Sequence, residues 1–593
     1  TLKFGFKHSR YQGNELSRPQ PSGVYNFNGR WTLGYNKKGK PIKNTGIRFA
    51  DFILGRLNNV DARVAPMIGK RIRYYAGYFQ DDWKVTRNLT LNIGVRYETE
   101  TPITEVGGRM NGFSPYKPNP LAGQNGIPED SVGIVTFPNR NGMGKYLWRW
   151  DKNNFGPRFG FAWRVFGTDT TVLRGGYGVF YGNPYDRNTI QVARAGFDNI
   201  YRARHPIPFT LSQGIPEGAL DDIPESELTP TFGMRGTRFA TSTIQFIGED
   251  RVNPYTQNMN LTIQHQRGGW FFEIGALGNL GRQIAFPNIN INHIRTEDLP
   301  KLATGIDPLK LRPWQQFTSS KPQIQIFAPN WGISNAWLGT ARVERRYRDG
   351  FGLTIAYTYT SWIDNVIFTG GNNATFGDNQ QIQNIYNLKG ERSKSTNSIA
   401  HRIVIAPIWD LPFGHNRKWG DDWNGVLNAI LGGWQVSFMG TIRSGAPFGL
   451  TVLNGARDIL GDDAQGRNLR PDMVAGVPLY HPKKGKPRDD GSRGIYWFNP
   501  EAFTTPPDYT LGNSARTIPG LTGPGSISFD AMLAKNWRFK ERYRLQFRWE
   551  MFNFTNTPQW GLPGQTLGQE TSFGFVNGAG GRRIMQFGLK LYF

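Results

Sequence analysis

The chain has 593 residues, with 70 Lys and Arg against 45 Asp and Glu, which gives a formal charge of +25. Charged residues are only 19% of the total and aromatics reach 14%, so the chain is not a disordered polyelectrolyte. Cysteine is absent, which excludes disulfide scaffolds, thiolate metal sites and cysteine nucleophiles, and 73 Gly with 38 Pro disfavour long helical bundles.

No run approaches the roughly 18 apolar residues of a membrane helix. The densest, Val404-Ile405-Ala406-Pro407-Ile408-Trp409, is short and contains a proline. The mean hydropathy of −0.50 still admits a membrane barrel, because each strand needs an apolar residue only at every second position.

In chain order, strands are expected at 1–8, 71–85 and 89–98. The third alternates without fault: Leu89, Leu91, Ile93, Val95 and Tyr97 oppose Thr90, Asn92, Gly94, Arg96 and Glu98. It matches the ~9–11 residues of a tilted strand crossing a bilayer. Segment 71–85 has aromatics on both faces, so its register stays open. Residues 155–165 and 171–181 form a hairpin through Gly167-Thr168-Asp169. Two more hairpins turn at Arg267-Gly268-Gly269 and Arg348-Asp349-Gly350. Short turns and long connections alternate, as periplasmic turns and extracellular loops do in outer-membrane barrels. Residues 410–433 are too long for a tight turn and are read as an elaborated periplasmic one. The last strand, 584–593, ends on Phe593. The pattern predicts an all-β transmembrane antiparallel barrel of about 14 strands.

An Arg or Lys at the lipid midplane of a barrel costs ~2–4 kcal/mol, but only ~0–1 near an interface. Arg96, Arg158, Arg174, Arg544, Arg548 and Lys590 are therefore expected to face the lumen as candidate solute contacts. There they either attract an anionic solute or pair with wall carboxylates such as Glu98 and Glu550. His265, Arg345 and Lys535 fall on apolar faces near short turns, where they are expected to snorkel to the interface. Trp163, Tyr543, Trp549 and Phe593 are the candidate interface aromatics. The competing reading of the three internal ones is a sandwich core.

Several blocks, in order, resemble the Oar-like TonB-dependent transporters. They are Tyr78-Phe79-Gln80-Asp81-Asp82-Trp83-Lys84-Val85, Ile430-Leu431-Gly432-Gly433-Trp434-Gln435-Val436, Arg443-Ser444-Gly445-Ala446-Pro447-Phe448 and Phe498-Asn499-Pro500-Glu501-Ala502-Phe503. Glu541 to Arg548, Phe552-Asn553-Phe554-Thr555-Asn556 and Gln586 to Phe593 complete the set. The resemblance implies an outer-membrane barrel of about 22 strands, closed by a plug, that imports a bulky solute such as a siderophore, oligosaccharide or peptide. It further implies energy supplied through the TonB complex and recognition of Phe593 by the barrel-assembly machinery. No signal peptide, TonB box or plug is recognisable, so residues 1–593 are expected to be the C-terminal part of such a barrel. A passive porin and a secreted β-rich adhesion or carbohydrate-binding protein are the alternatives.

Signals for other chemistry are weak. Gly34-Tyr35-Asn36-Lys37-Lys38-Gly39-Lys40 has Pro41 where a phosphate loop needs Ser or Thr, and Ser114-Pro115-Tyr116-Lys117 lacks the companion motifs of acyl-transfer enzymes. The seven histidines show no zinc spacing, and Asp462-Asp463 with Asn468 lack the other ligands of a calcium loop. No enzyme, metal or cofactor is expected. The basic runs 37–40 and 483–486 join no nucleic-acid docking motif, so no nucleic acid is expected; they read as solvated loops or contacts to lipopolysaccharide phosphates. Outer-membrane lipid is the surrounding partner.

Overall fold

The computed structural model describes the chain apart from residues 17–19, 183–192, 242, 287, 318–321, 366–381, 454–459, 461–467 and 540–541. Asp462, Asp463 and Glu541 thus lie outside the described residues. Fourteen long strands join one sheet in chain order, each antiparallel to the next. The first seven are β1 (Leu2–Glu15), β2 (Ile68–Lys84), β3 (Leu89–Glu100), β4 (Phe155–Arg164), β5 (Thr171–Tyr181), β6 (Tyr255–Arg267) and β7 (Trp270–Ile284). The others are β8 (Gly332–Arg348), β9 (Phe351–Asp364), β10 (His401–Asp410), β11 (Trp434–Arg443), β12 (Ser526–Phe539), β13 (Tyr543–Phe552) and β14 (Ile584–Tyr592). Among the described residues no pairing joins β1 to β14. Among the described residues no helix is long and apolar enough to cross a membrane.

The connections 85–88, 165–170, 268–269, 349–350 and 411–433 share one end of the sheet, and the long ones share the other. Two of the tight turns follow from backbone chemistry. Gly268 and Gly269 have φ of 56° and 82°, and Asp349 and Gly350 have 55° and 78°. Two successive positive-φ residues make the mirror-image turn whose twist matches paired strands, and Gly and Asp tolerate that geometry best.

Pleating and register put every apolar row on one face. Ile93 lies opposite Phe159, Phe159 opposite Tyr177, and Tyr177 opposite Met259. The row recurs at the far side of the sheet, where Trp549 lies opposite Leu533 and Phe587. These side chains are not a sandwich core: Phe4, Ile274 and Phe587 are 77%, 65% and 69% exposed. An apolar surface of this extent on a single sheet is stable only in hydrocarbon. The open register of β2 is now resolved. Tyr78 pairs with Arg96 on the polar face, while Phe79 pairs with Val95 and Trp83 with Leu91 on the apolar one.

The long loops carry cores of their own. Phe113, Phe137, Met234, Phe246, Phe317 and Ile324 pack into one buried cluster, although they come from three different connections. Connection 444–525 packs Phe448, Phe498 and Phe503 against Phe573 of 553–583. Buried ion pairs tie these layers to the strand ends: Arg470 holds Glu391, and Arg516 holds Asp364, the last residue of β9.

Candidate functional site

The six candidate cations all sit on the polar face, but their surroundings differ. Arg96 pairs with Glu98 at 3.3 Å and donates to the Tyr74 hydroxyl at 2.9 Å. Arg548 lies 3.7 Å from Glu550, so two of the six have neighbouring wall carboxylates. Arg544 stacks 4.1 Å above the Tyr592 ring. Among the described residues no ion pair engages Arg158, Arg174 or Lys590, and Arg158 lies 4.7 Å over the Phe180 ring.

Arg158 also borders a recess of about 470 Å³ in the polar face of β2–β8. Asn92, Asn258, Asn260 and Asn279 line it, and its floor is glycine. Gly160 pairs directly with Gly176 across β4 and β5. A Cβ at Gly160 would meet nothing closer than 3.7 Å, so close approach of the backbone does not require glycine there. The missing side chain instead leaves room. Amides that both donate and accept, beside one guanidinium and the apolar side chains of Phe180, Leu277 and Leu338, suit a solute that carries both polar and apolar groups. Sequence reading singled out Arg158 but missed the recess. The pairing of Gly160 with Gly176 and the clustering of the four asparagines depend on inter-strand register.

Of the aromatic candidates, Trp163 and Tyr543 flank short turns and are 42% and 41% exposed, and terminal Phe593 is 87% exposed. Trp549 lies further along β13, stacked on Phe587 at 5.9 Å. The apolar-face cations are each held by neighbours. His265 Nδ1 lies 2.9 Å from the Thr171 hydroxyl, and Arg345 lies within 6 Å of both the Trp270 and Phe351 rings, at 5.7 and 5.3 Å. Lys535 departs from the expectation of snorkelling. It is only 2% exposed because its ammonium donates to backbone carbonyls of 428–432.

The remaining motifs bring no chemistry together. Residues 36–40 form a tight turn in which the Asn36 side chain accepts from the Lys38 and Lys40 amides, and Ser114 is buried in a loop strand. In the other basic run, Lys484 lies 3.3 Å from the Tyr480 ring centre. Lys483 pairs with Asp489 and holds its carboxyl below the usual carboxylate range. Arg488 does the same for Asp490, which falls to about 2. Among the described residues no group of His, Asp and Glu could hold a metal ion.

The family described as outer membrane beta barrel domain matches residues 1–586. No curated protein matches. Among solved structures, the chain is similar to the outer membrane transporter YddB from Escherichia coli at 10% identity, covering 100% of this chain and 51% of that one, with a TM-score of 0.42. The FrpB iron transporter from Neisseria meningitidis is 10% identical, with 100% and 52% covered and a TM-score of 0.38. The ferripyoverdine receptor of Pseudomonas aeruginosa, bound to ferripyoverdine, is 10% identical, with 100% and 45% covered and a TM-score of 0.38. The chain therefore spans about half the length of these structures.

Proposed function

This chain belongs to the outer membrane beta barrel domain family, and on that premise we propose that it forms the wall and loop cap of a TonB-dependent active importer. It resides in the cell outer membrane. In this reading the intact protein adds a plug and the remaining strands, the loop layer captures a bulky polar solute, and the TonB complex drives its release through the barrel. The energy comes from the inner membrane, since the outer membrane holds no nucleotide supply.

The observation that carries the reading is the glycine-floored recess beside Arg158, lined by four asparagines together with Phe180, Leu277 and Leu338. A siderophore, an oligosaccharide or a peptide each presents the hydroxyl, carboxylate or amide groups that such a surface can bind.

The test is solute-dependent growth of cells expressing the intact protein, across panels of these three solute classes. Uptake of at least one solute should depend on the TonB complex and stop when the proton gradient is collapsed. Uptake that survives both treatments would identify a passive porin instead. In the same assay Gly160→Leu, which fills the recess, should leave the amount of assembled protein unchanged and weaken apparent affinity about tenfold, as expected from loss of one or two hydrogen bonds. Deleting Phe593 should lower the amount of assembled barrel without changing the affinity of what does assemble.

A further inference from the structure

The connection between β10 and β11 contains a short helix, α1 (Gly425–Leu431). Three side chains from the apolar face of the sheet cap its C-terminal end. Trp434 Nε1 donates to the Ile430 carbonyl at 2.8 Å, and Trp537 Nε1 donates to the Ala429 carbonyl at 2.8 Å. The Lys535 ammonium donates to the carbonyls of Asn428 and Gly432. Trp434 and Lys535 are a directly opposed pair, and Trp537 lies two residues further along the same face. The helix is therefore strapped to the outside of the wall, on the side of the lipid-facing rows. A buried ammonium on that side is tolerated because the orphan carbonyls of a helix end, with their partial negative charge, surround it.

At the other end the Asn424 side chain accepts from the Leu427 amide at 2.8 Å. The Asn428 side chain accepts from the His415 amide at 3.0 Å, which ties the preceding turn to the helix. A unit fixed this firmly nevertheless presents Val426, Leu427, Ile430 and Leu431, which are 72%, 38%, 60% and 45% exposed. At ~100° per residue these four positions form one stripe. Trp419, 50% exposed and with Lys418 over its ring at 4.9 Å, continues the apolar surface, while Asp421 and Asp422 are exposed on the intervening segment.

We propose that α1 is an interfacial anchor whose Val426–Ile430 stripe inserts among the phospholipid acyl chains of the inner leaflet of the outer membrane, with Lys535, Trp434 and Trp537 holding it against the barrel. The occupant follows from continuity: the stripe extends the apolar belt of β10–β13, and the capping indoles have the amphipathic character found at the headgroup level. The inference rests on the outer-membrane barrel and not on transport, so it stands whichever solute passes.

The chain contains no cysteine, which allows single-site labelling. Val426→Cys, Ile430→Cys and Asp422→Cys would be introduced separately into the intact protein, labelled with a fluorophore and reconstituted into phosphatidylethanolamine–phosphatidylglycerol vesicles. Probes at 426 and 430 should be quenched by spin-labelled lipid and shielded from aqueous iodide, with a lipid-to-iodide quenching ratio about fivefold above that at 422. Equal iodide quenching at all three sites overturns the proposal. So does a site shielded from both quenchers, which would mean that a second protein copy covers the stripe. Adding Lys535→Met should release the helix and move the 426 ratio toward the 422 value; an unchanged ratio removes the strap from the proposal.

Discussion

Ile274→Arg should destabilise the assembled barrel by ~2–4 kcal/mol, whereas Thr340→Arg on the neighbouring strand should change it by less than about 1 kcal/mol. Ile274 is 65% exposed and lies between Ile263 and Ala341, within the apolar rows of β6, β7 and β8. It lies further from the tight turn at 268–269 than His265 and Arg345, which sit opposite Phe272 and Trp270, so a guanidinium there is deeper in the apolar rows than either of those side chains. Thr340 pairs with Gly275 and Thr358 on the opposite, polar face, where an added cation stays in water. Urea titration of the intact protein folded in vesicles measures both. Equal costs at the two positions would show that the apolar rows do not face lipid.

The second large effect concerns the loop layer. Arg516 is completely buried; beyond its pairing with the Asp364 carboxylate, it donates to the Asp364 carbonyl at 3.0 Å and the Glu391 carbonyl at 3.1 Å. One side chain thus fastens connection 444–525 to the end of β9 and to connection 365–400. Removing one partner of a buried pair leaves the other charge without compensation, at a cost of ~3–5 kcal/mol. Arg516→Met should therefore raise amide exchange near residues 383–396 and 512–518 by a factor of about a hundred to several thousand, since each ~1.4 kcal/mol is tenfold. Exchange in the membrane-spanning parts of β9 and β12 should stay as it was. Combining the change with Asp364→Asn should recover part of the loss. Exchange that does not respond would mean that the pair is not what orders the loops.

Much of the wall was legible because a pleated strand with one face in lipid writes itself as strict alternation. Residues 89–98 and the final strand needed no tertiary information, and the turns at 268–269 and 349–350 announced themselves through Gly and Asp. The ambiguity of 71–85 was real at that level. Tyr74, Tyr75, Tyr78 and Phe79 allow either register, and only pairing with Arg96 and Val95 decided it. The loop cores were not legible. Thr243–Phe246 and Gln323–Ile326 pair in parallel from distant connections, and no local period records such a partnership.

By itself the sequence determined the fold class, the two faces of the wall and the side to which each cation belongs, because the cost of a charge in hydrocarbon depends only on alternation and depth. Tertiary structure alone decided what each cation does there. Arg96 has a carboxylate neighbour two residues away on its own strand, Arg158 borders a recess made by glycines on adjacent strands, and Lys535 lies beneath a helix supplied by another connection. For Arg158 and Lys535 the decisive neighbour comes from elsewhere in the chain, and which groups meet across a sheet is set by register and by where the loops fold back.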